Sequence, residues 1–141
     1  MTYTNYDIDG WHIQFPQEWK FSLDKDQQPP QIIFDVEEEP VTIYISTWNW
    51  IRPETEEVPD VETVSSFFLH AFTQQGIEKV ENFSQYYPEG FTTHVGKSMT
   101  EDGDNMISCA ICTKGGALTV YFNFEQGVDI ENYLKYIKNI E

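Results

Sequence analysis

Apolar residues alternate with polar ones along much of this chain, and that period of two commits it to strands. Trp11, Ile13 and Phe15 occupy every second position before Pro16, and Trp19, Phe21 and Leu23 do so after it. Successive side chains of a strand point to opposite faces, so each run builds one apolar face. Pro16 reads as the turn between the runs, and the pair reads as an opening hairpin.

The same pattern continues downstream. Gln31 to Val36 reads as a third strand, followed by the acidic turn Glu37-Glu38-Glu39-Pro40. Val41 to Trp50 is a long fourth strand with Val41, Ile43 and Ile45 on one face and Tyr44, Trp48 and Trp50 on the other. The period then changes. Val61, Val64, Phe68, Ala71 and Phe72 recur at helical spacing, after Asp60 as a cap and before Gly76 as a stop. Strands follow at Glu78–Tyr86, Phe91–Met99 and Met106–Thr113, and one more carries Leu118, Val120, Phe122 and Phe124. Asp129 caps a closing helix with Ile130, Tyr133, Leu134, Ile137 and Ile140 on one face.

Short hairpin links imply an antiparallel sheet, here of about six to eight strands. Aromatic residues on both faces of the long strand call for cover on both sides, which two helices supply. The expected fold is therefore α+β, one domain over 1–141: an antiparallel sheet with helices packed on its faces. Among the residues expected in its core are Trp11, Phe15, Trp19, Ile43, Phe68, Phe122 and Leu134.

The segment Trp11-His12-Ile13-Gln14-Phe15-Pro16-Gln17-Glu18-Trp19, with this order of elements, resembles the PsbP-like superfamily. That superfamily includes an extrinsic subunit of photosystem II, an import factor that binds the GTPase Ran, and bacterial effector chaperones. The chain is most similar to its small bacterial members of unknown role. The resemblance implies a PsbP-like sandwich and a binding module rather than an enzyme. It carries no functional motif onto particular residues, and fold alone does not fix function.

Charge narrows the class of partner. The chain has 24 acids against 8 bases, a net charge of -16. Such a surface repels phosphate, so neither nucleic acid nor an anionic membrane is an expected partner. No apolar run approaches the ~20 residues of a membrane span. The N-terminal residues carry neither a basic region nor an apolar run, which implies a cytoplasmic protein; a chain already relieved of an export signal would read the same.

Signatures of chemistry are sparse. Cys109-Ala110-Ile111-Cys112 has a metal half-site spacing, but residues three apart on a strand face opposite ways, and no second pair exists. His12, His70 and His94 lie far apart in sequence and not at metal spacing. Asp102-Gly103-Asp104-Asn105 fails the register of a calcium loop and reads as a hairpin turn. There is no Gly-x-Ser-x-Gly elbow, phosphate-cradling loop or dinucleotide fingerprint. No catalytic residue, metal or cofactor is expected.

What remains is a cluster of acids beside aromatics. Asp35, Glu37, Glu38, Glu39, Glu54, Glu56, Glu57, Asp60 and Glu62 lie in one stretch with Arg52 the single base. The candidate partner-binding residues are Tyr44, Trp48, Trp50, Glu54, Glu56 and Glu57, fitted to a protein with a basic, partly apolar surface. Three roles stay open: an adaptor or chaperone-like module, an immunity-type inhibitor of a basic toxin, and a small hydrolase. The opposing reading is that the acids decorate loops and the aromatics pack beneath a helix.

Overall fold

A computed structural model describes residues 3–8, 10–17, 19–24, 31–36, 41–49, 58–77, 79–82, 84, 87, 89–99 and 105–124. The first five strands are β1 (Tyr3–Ile8), β2 (Trp11–Pro16), β3 (Lys20–Asp24), β4 (Gln31–Val36) and β5 (Val41–Asn49). Helix α1 (Val61–Gln74) follows, then β6 (Lys79–Asn82), β7 (Thr92–Met99), β8 (Asn105–Thr113) and β9 (Gly116–Phe124). β3 to β9 form one antiparallel sheet in the order β3-β4-β5-β9-β8-β7-β6. Two meanders, β3-β4-β5 and β6-β7-β8-β9, meet along the β5–β9 pair. The antiparallel, sheet-rich character expected from the alternation is therefore present.

Register assigns every side chain to a face. Ile43 stands opposite Phe122 and Ile45 opposite Val120. Phe122 in turn faces Ile107, and Leu118 faces Ile111. All seven are fully buried, and with Phe34 and Phe124 they form the centre of the larger core. Each fully buried side chain of this size contributes ~1.5–3 kcal/mol relative to exposure. Even-numbered residues of β5 point the other way, toward α1.

The cover over the larger core differs from the two-helix expectation. It is the β1–β2 ribbon, whose Ile13 and Phe15 are fully buried, with Tyr6, Ile8 and Trp11 packed beside them. Rings anchor it at both ends. Phe15 meets Phe34 at 4.7 Å and Tyr6 meets Phe34 edge-on at 5.2 Å, while Trp11 meets Phe91 edge-on at 5.9 Å. Trp11 is accordingly half-buried rather than in the deep core. Trp19, Ile43, Phe68 and Phe122 are buried as expected. The expected closing helix with Leu134, the acidic turn at 37–40 and the 101–104 loop lie outside the described residues.

The expected opening hairpin is also corrected. Trp11–Pro16 does not pair with Lys20–Asp24; β2 pairs with β1 and β3 pairs with β4, in separate sheets. The cause is a tight turn at Gly10, between Ile8 and Trp11, which face each other. Gly10 has φ +89°, the left-handed conformation that such turns need, and its N–H donates to Asp7 Oδ1 at 2.9 Å. Beyond β2, Pro16 accepts a hydrogen bond from the Trp19 N–H, and the chain crosses from the ribbon to the edge of the main sheet.

The other face is covered by α1. Asp60 accepts a hydrogen bond from the Thr63 N–H at 2.8 Å, as a cap should, and the Thr63 hydroxyl, together with that N–H, holds its carboxyl below its usual value. Val64, Ser65, Phe68 and Phe72 face the sheet. The helix ends where Gly76 takes φ +80°; its N–H donates to Thr73 O and the Ile77 N–H to Phe72 O. That is a Schellman closure, sealed by Ile77 against the same core as Phe72.

The β8–β9 turn fixes where α1 begins. The Gly115 N–H donates to Pro59 O at 2.8 Å. Gly115 has φ +72°, and a Cβ there would lie 2.4 Å from Val58 Cγ1. Gly115→Ala therefore meets both a backbone penalty and a clash. It is expected to cost ~1–3 kcal/mol in urea unfolding. Gly90→Ala, where φ is +94° but the space is open, is expected to cost less.

Candidate functional site

The candidate site grows from the seam between α1 and β5. Trp48 lies on the helix face of β5, opposite Ala117. Its indole N–H donates to Thr119 Oγ1 at 3.0 Å, and that hydroxyl donates to Ser46 O at 3.4 Å. The ring meets Phe68 edge-on at 5.5 Å and Phe67 at 6.3 Å. Phe67 and Phe68 stand edge-to-face at 5.1 Å. Trp48 is thus held by a hydrogen bond on one side and by rings on the other.

Phe67 is the residue that sequence reasoning missed. It is 50% exposed, whereas its neighbour Phe68 is buried. Adjacent helix residues point ~100° apart, so both members of a Phe-Phe pair cannot enter the same stripe. The doublet itself was the available signal: with Phe68 in the stripe, Phe67 must stand at its rim.

Of the aromatics expected to bind a partner, Tyr44 and Trp48 share the helix face of β5, both half-buried. They are ~13 Å apart along the strand by strand geometry. Tyr44 faces Tyr121, whose hydroxyl is pushed above its usual range by burial. Trp48 is partly in the second core, as the opposing reading held, yet it also backs the exposed Phe67. Trp50, Glu54, Glu56 and Glu57 lie outside the described residues. Of the clustered acids, Asp60 and Glu62 stand exposed at the start of α1.

The chain matches no family model and no curated protein.

The remaining reactive side chains are dispersed. Cys109 belongs to the larger core and Cys112 to the core under α1, so the two thiols occupy opposite faces. Burial pushes both up, Cys112 to about 11 with the Ser65 and Thr92 hydroxyls holding back part of the rise. Both are therefore thiols, not thiolates, at neutral pH. Ser65 and Thr92 also share a hydrogen bond, which ties α1 to β7. Among the described residues no three His, Cys, Asp or Glu side chains are grouped to hold a metal ion. No described helix is long and apolar enough to cross a membrane.

His94 lies on the helix face of β7, opposite Ala110 and Asn82. Its Nε2 is buried with no hydrogen-bond partner, and the same is true of Ser108 Oγ on the next strand. Those two atoms therefore do not form a nucleophile–base contact. Burial lowers the His94 pKa below its usual value near 6.5. A depressed histidine favours the fold above the unfolded pKa, and that contribution is lost as pH falls through the folded value. The stability of the native chain should therefore drop relative to His94→Gln between about pH 7 and about pH 5. Parallel unfolding midpoints over that range would contradict the assignment.

Proposed function

We propose that this chain is a non-enzymatic protein-binding module, adaptor or chaperone-like, in the manner of the PsbP-like superfamily. Its docking surface is the Trp48–Phe67 seam, with Tyr44 further along the same strand face. Its partner has a basic, partly apolar surface.

The observation that carries this reading is Phe67. A large aromatic side chain left half exposed, yet braced by Phe68 and Trp48, is ordered before any partner arrives. Such pre-ordered rings lose little freedom on binding and serve as anchors. The acids supply the complement. Asp60 and Glu62 stand at the start of α1, and Glu54, Glu56 and Glu57 lie in the segment between β5 and α1. A net charge of -16 accelerates encounter with a basic partner and rejects acidic ones.

The test begins with a pull-down from the host lysate, followed by kinetics with the recovered partner. Phe67→Ser is the cleanest probe, because half of this side chain is already in water. It should change stability by less than ~1 kcal/mol yet weaken binding by ~2 kcal/mol, mainly through faster dissociation. Replacing Glu54, Glu56 and Glu57 with Gln should mainly slow association and flatten its salt dependence. A partner whose affinity ignores both Phe67→Ser and salt would place the docking surface elsewhere.

A further inference from the structure

β3 forms one edge of the seven-stranded sheet, and among the described residues no strand pairs with its outer side. It reads Lys20-Phe21-Ser22-Leu23-Asp24. Phe21 is 56% exposed and Leu23 is 51% exposed. Phe21 is nonetheless placed, at 5.6 Å from Phe34 and edge-on to Tyr6 at 5.7 Å. An open edge with ordered apolar side chains is a template for another strand.

The order of residues on β3 selects that strand. We propose that it is β3 of a second copy of this chain, paired antiparallel about Ser22. In that register Phe21 of each copy faces Leu23 of the other, on the side that Phe21 already shares with Phe34. On the opposite side Lys20 of each copy faces Asp24 of the other. The twofold axis repeats both pairs, so the joint has two apolar and two charge-complementary cross-strand contacts. Other alignments lose them. A slip of one residue sets Lys20 against Leu23, a slip of two sets Lys20 against Ser22, and parallel in-register pairing sets Lys20 against Lys20. The joint would extend the larger core across two copies and remove an exposed edge from each. It lies at the sheet's edge, on strands other than those of the Trp48–Phe67 seam, and does not depend on the function proposed for that seam.

The charge of -16 on each copy opposes this association. At physiological salt the screening length is ~8 Å, which damps distant repulsion more than direct contacts. Sedimentation equilibrium of the whole chain at that salt should show a monomer–dimer equilibrium. Lys20→Asp sets two carboxylates against each other at both ends of the joint and should weaken the dimer by about tenfold or more. Lys20 is exposed, so the fold should survive, which circular dichroism checks. The double exchange Lys20→Asp with Asp24→Lys reverses both pairs and should restore dimerisation to within a few-fold of the native chain. Asp24 also has an interaction within its own chain, so the double variant is compared at matched folded fraction. Phe21→Lys, which leaves the charge pairs intact and removes the apolar ones, should also abolish the dimer. A chain that stays monomeric, a dimer indifferent to Lys20→Asp, or a folded double variant that fails to recover would each overturn the proposal.

Discussion

The pairing of β5 with β9 holds this protein together. Nine residue pairs run from Val41 opposite Phe124 to Asn49 opposite Gly116. They join two meanders that share no other strand pairing among the described residues. Thr119 Oγ1 reaches Ser46 O across 73 positions of sequence. Closing so large a loop costs conformational entropy before any contact compensates it. The compensation lies on both sides of the pair at once: Ile43, Ile45, Val120 and Phe122 in the larger core, and Trp48, Ala117 and Tyr121 beneath α1.

This central pair also divides the molecule into two tasks. On the odd-numbered face of β5, Val41, Ile43 and Ile45 lie in the larger core, sealed by the β1–β2 ribbon. The even-numbered face carries α1 over one end, and its second core is smaller and partly polar, with Ser65, Thr92 and Thr119 hydrogen-bonded within it. A helix narrower than the sheet leaves rims, and the exposed Phe67 stands on one of them. Asp60 and Glu62, exposed at the start of that helix, place charge at its surface and not in the core. The surface proposed for binding is thus a by-product of how the crossover from β5 to β6 is built.

Local signals in the sequence were legible wherever a short-range rule governs the outcome. The Asp60 cap, the Gly76 stop and the helical stripe of Val64, Phe68 and Phe72 all stand where spacing put them. Cys109 and Cys112 fall on opposite faces because three residues along a strand is an odd step. Pairing was less legible, because alternation identifies a face and not its neighbour. β1 escaped notice because Tyr3-Thr4-Asn5-Tyr6-Asp7-Ile8 is mostly polar, although Asp9-Gly10 marked the turn that recruits it. Phe21 and Leu23 read as one apolar face by alternation, yet β3 sits at an edge and each is left about half exposed, with Tyr6 of the ribbon meeting Phe21 only edge-on. At the candidate site, Trp48 was legible as an aromatic on the second face. Its Thr119 bond and its contact with Phe67 depend on tertiary placement that periodicity does not encode.

Native-state hydrogen exchange tests the central place of β5–β9 most directly. If that pair joins the meanders into one cooperative unit, the amides of Ile43, Ile45, Val120 and Phe122 exchange only through global unfolding, all with the same free energy. Amides at the β3 edge would open at lower cost without affecting them. The contradicting result is exchange of the β5 amides at a distinctly lower free energy than those of β8 and β9. It would show that the two meanders open separately and that the pair between them is not what holds the fold.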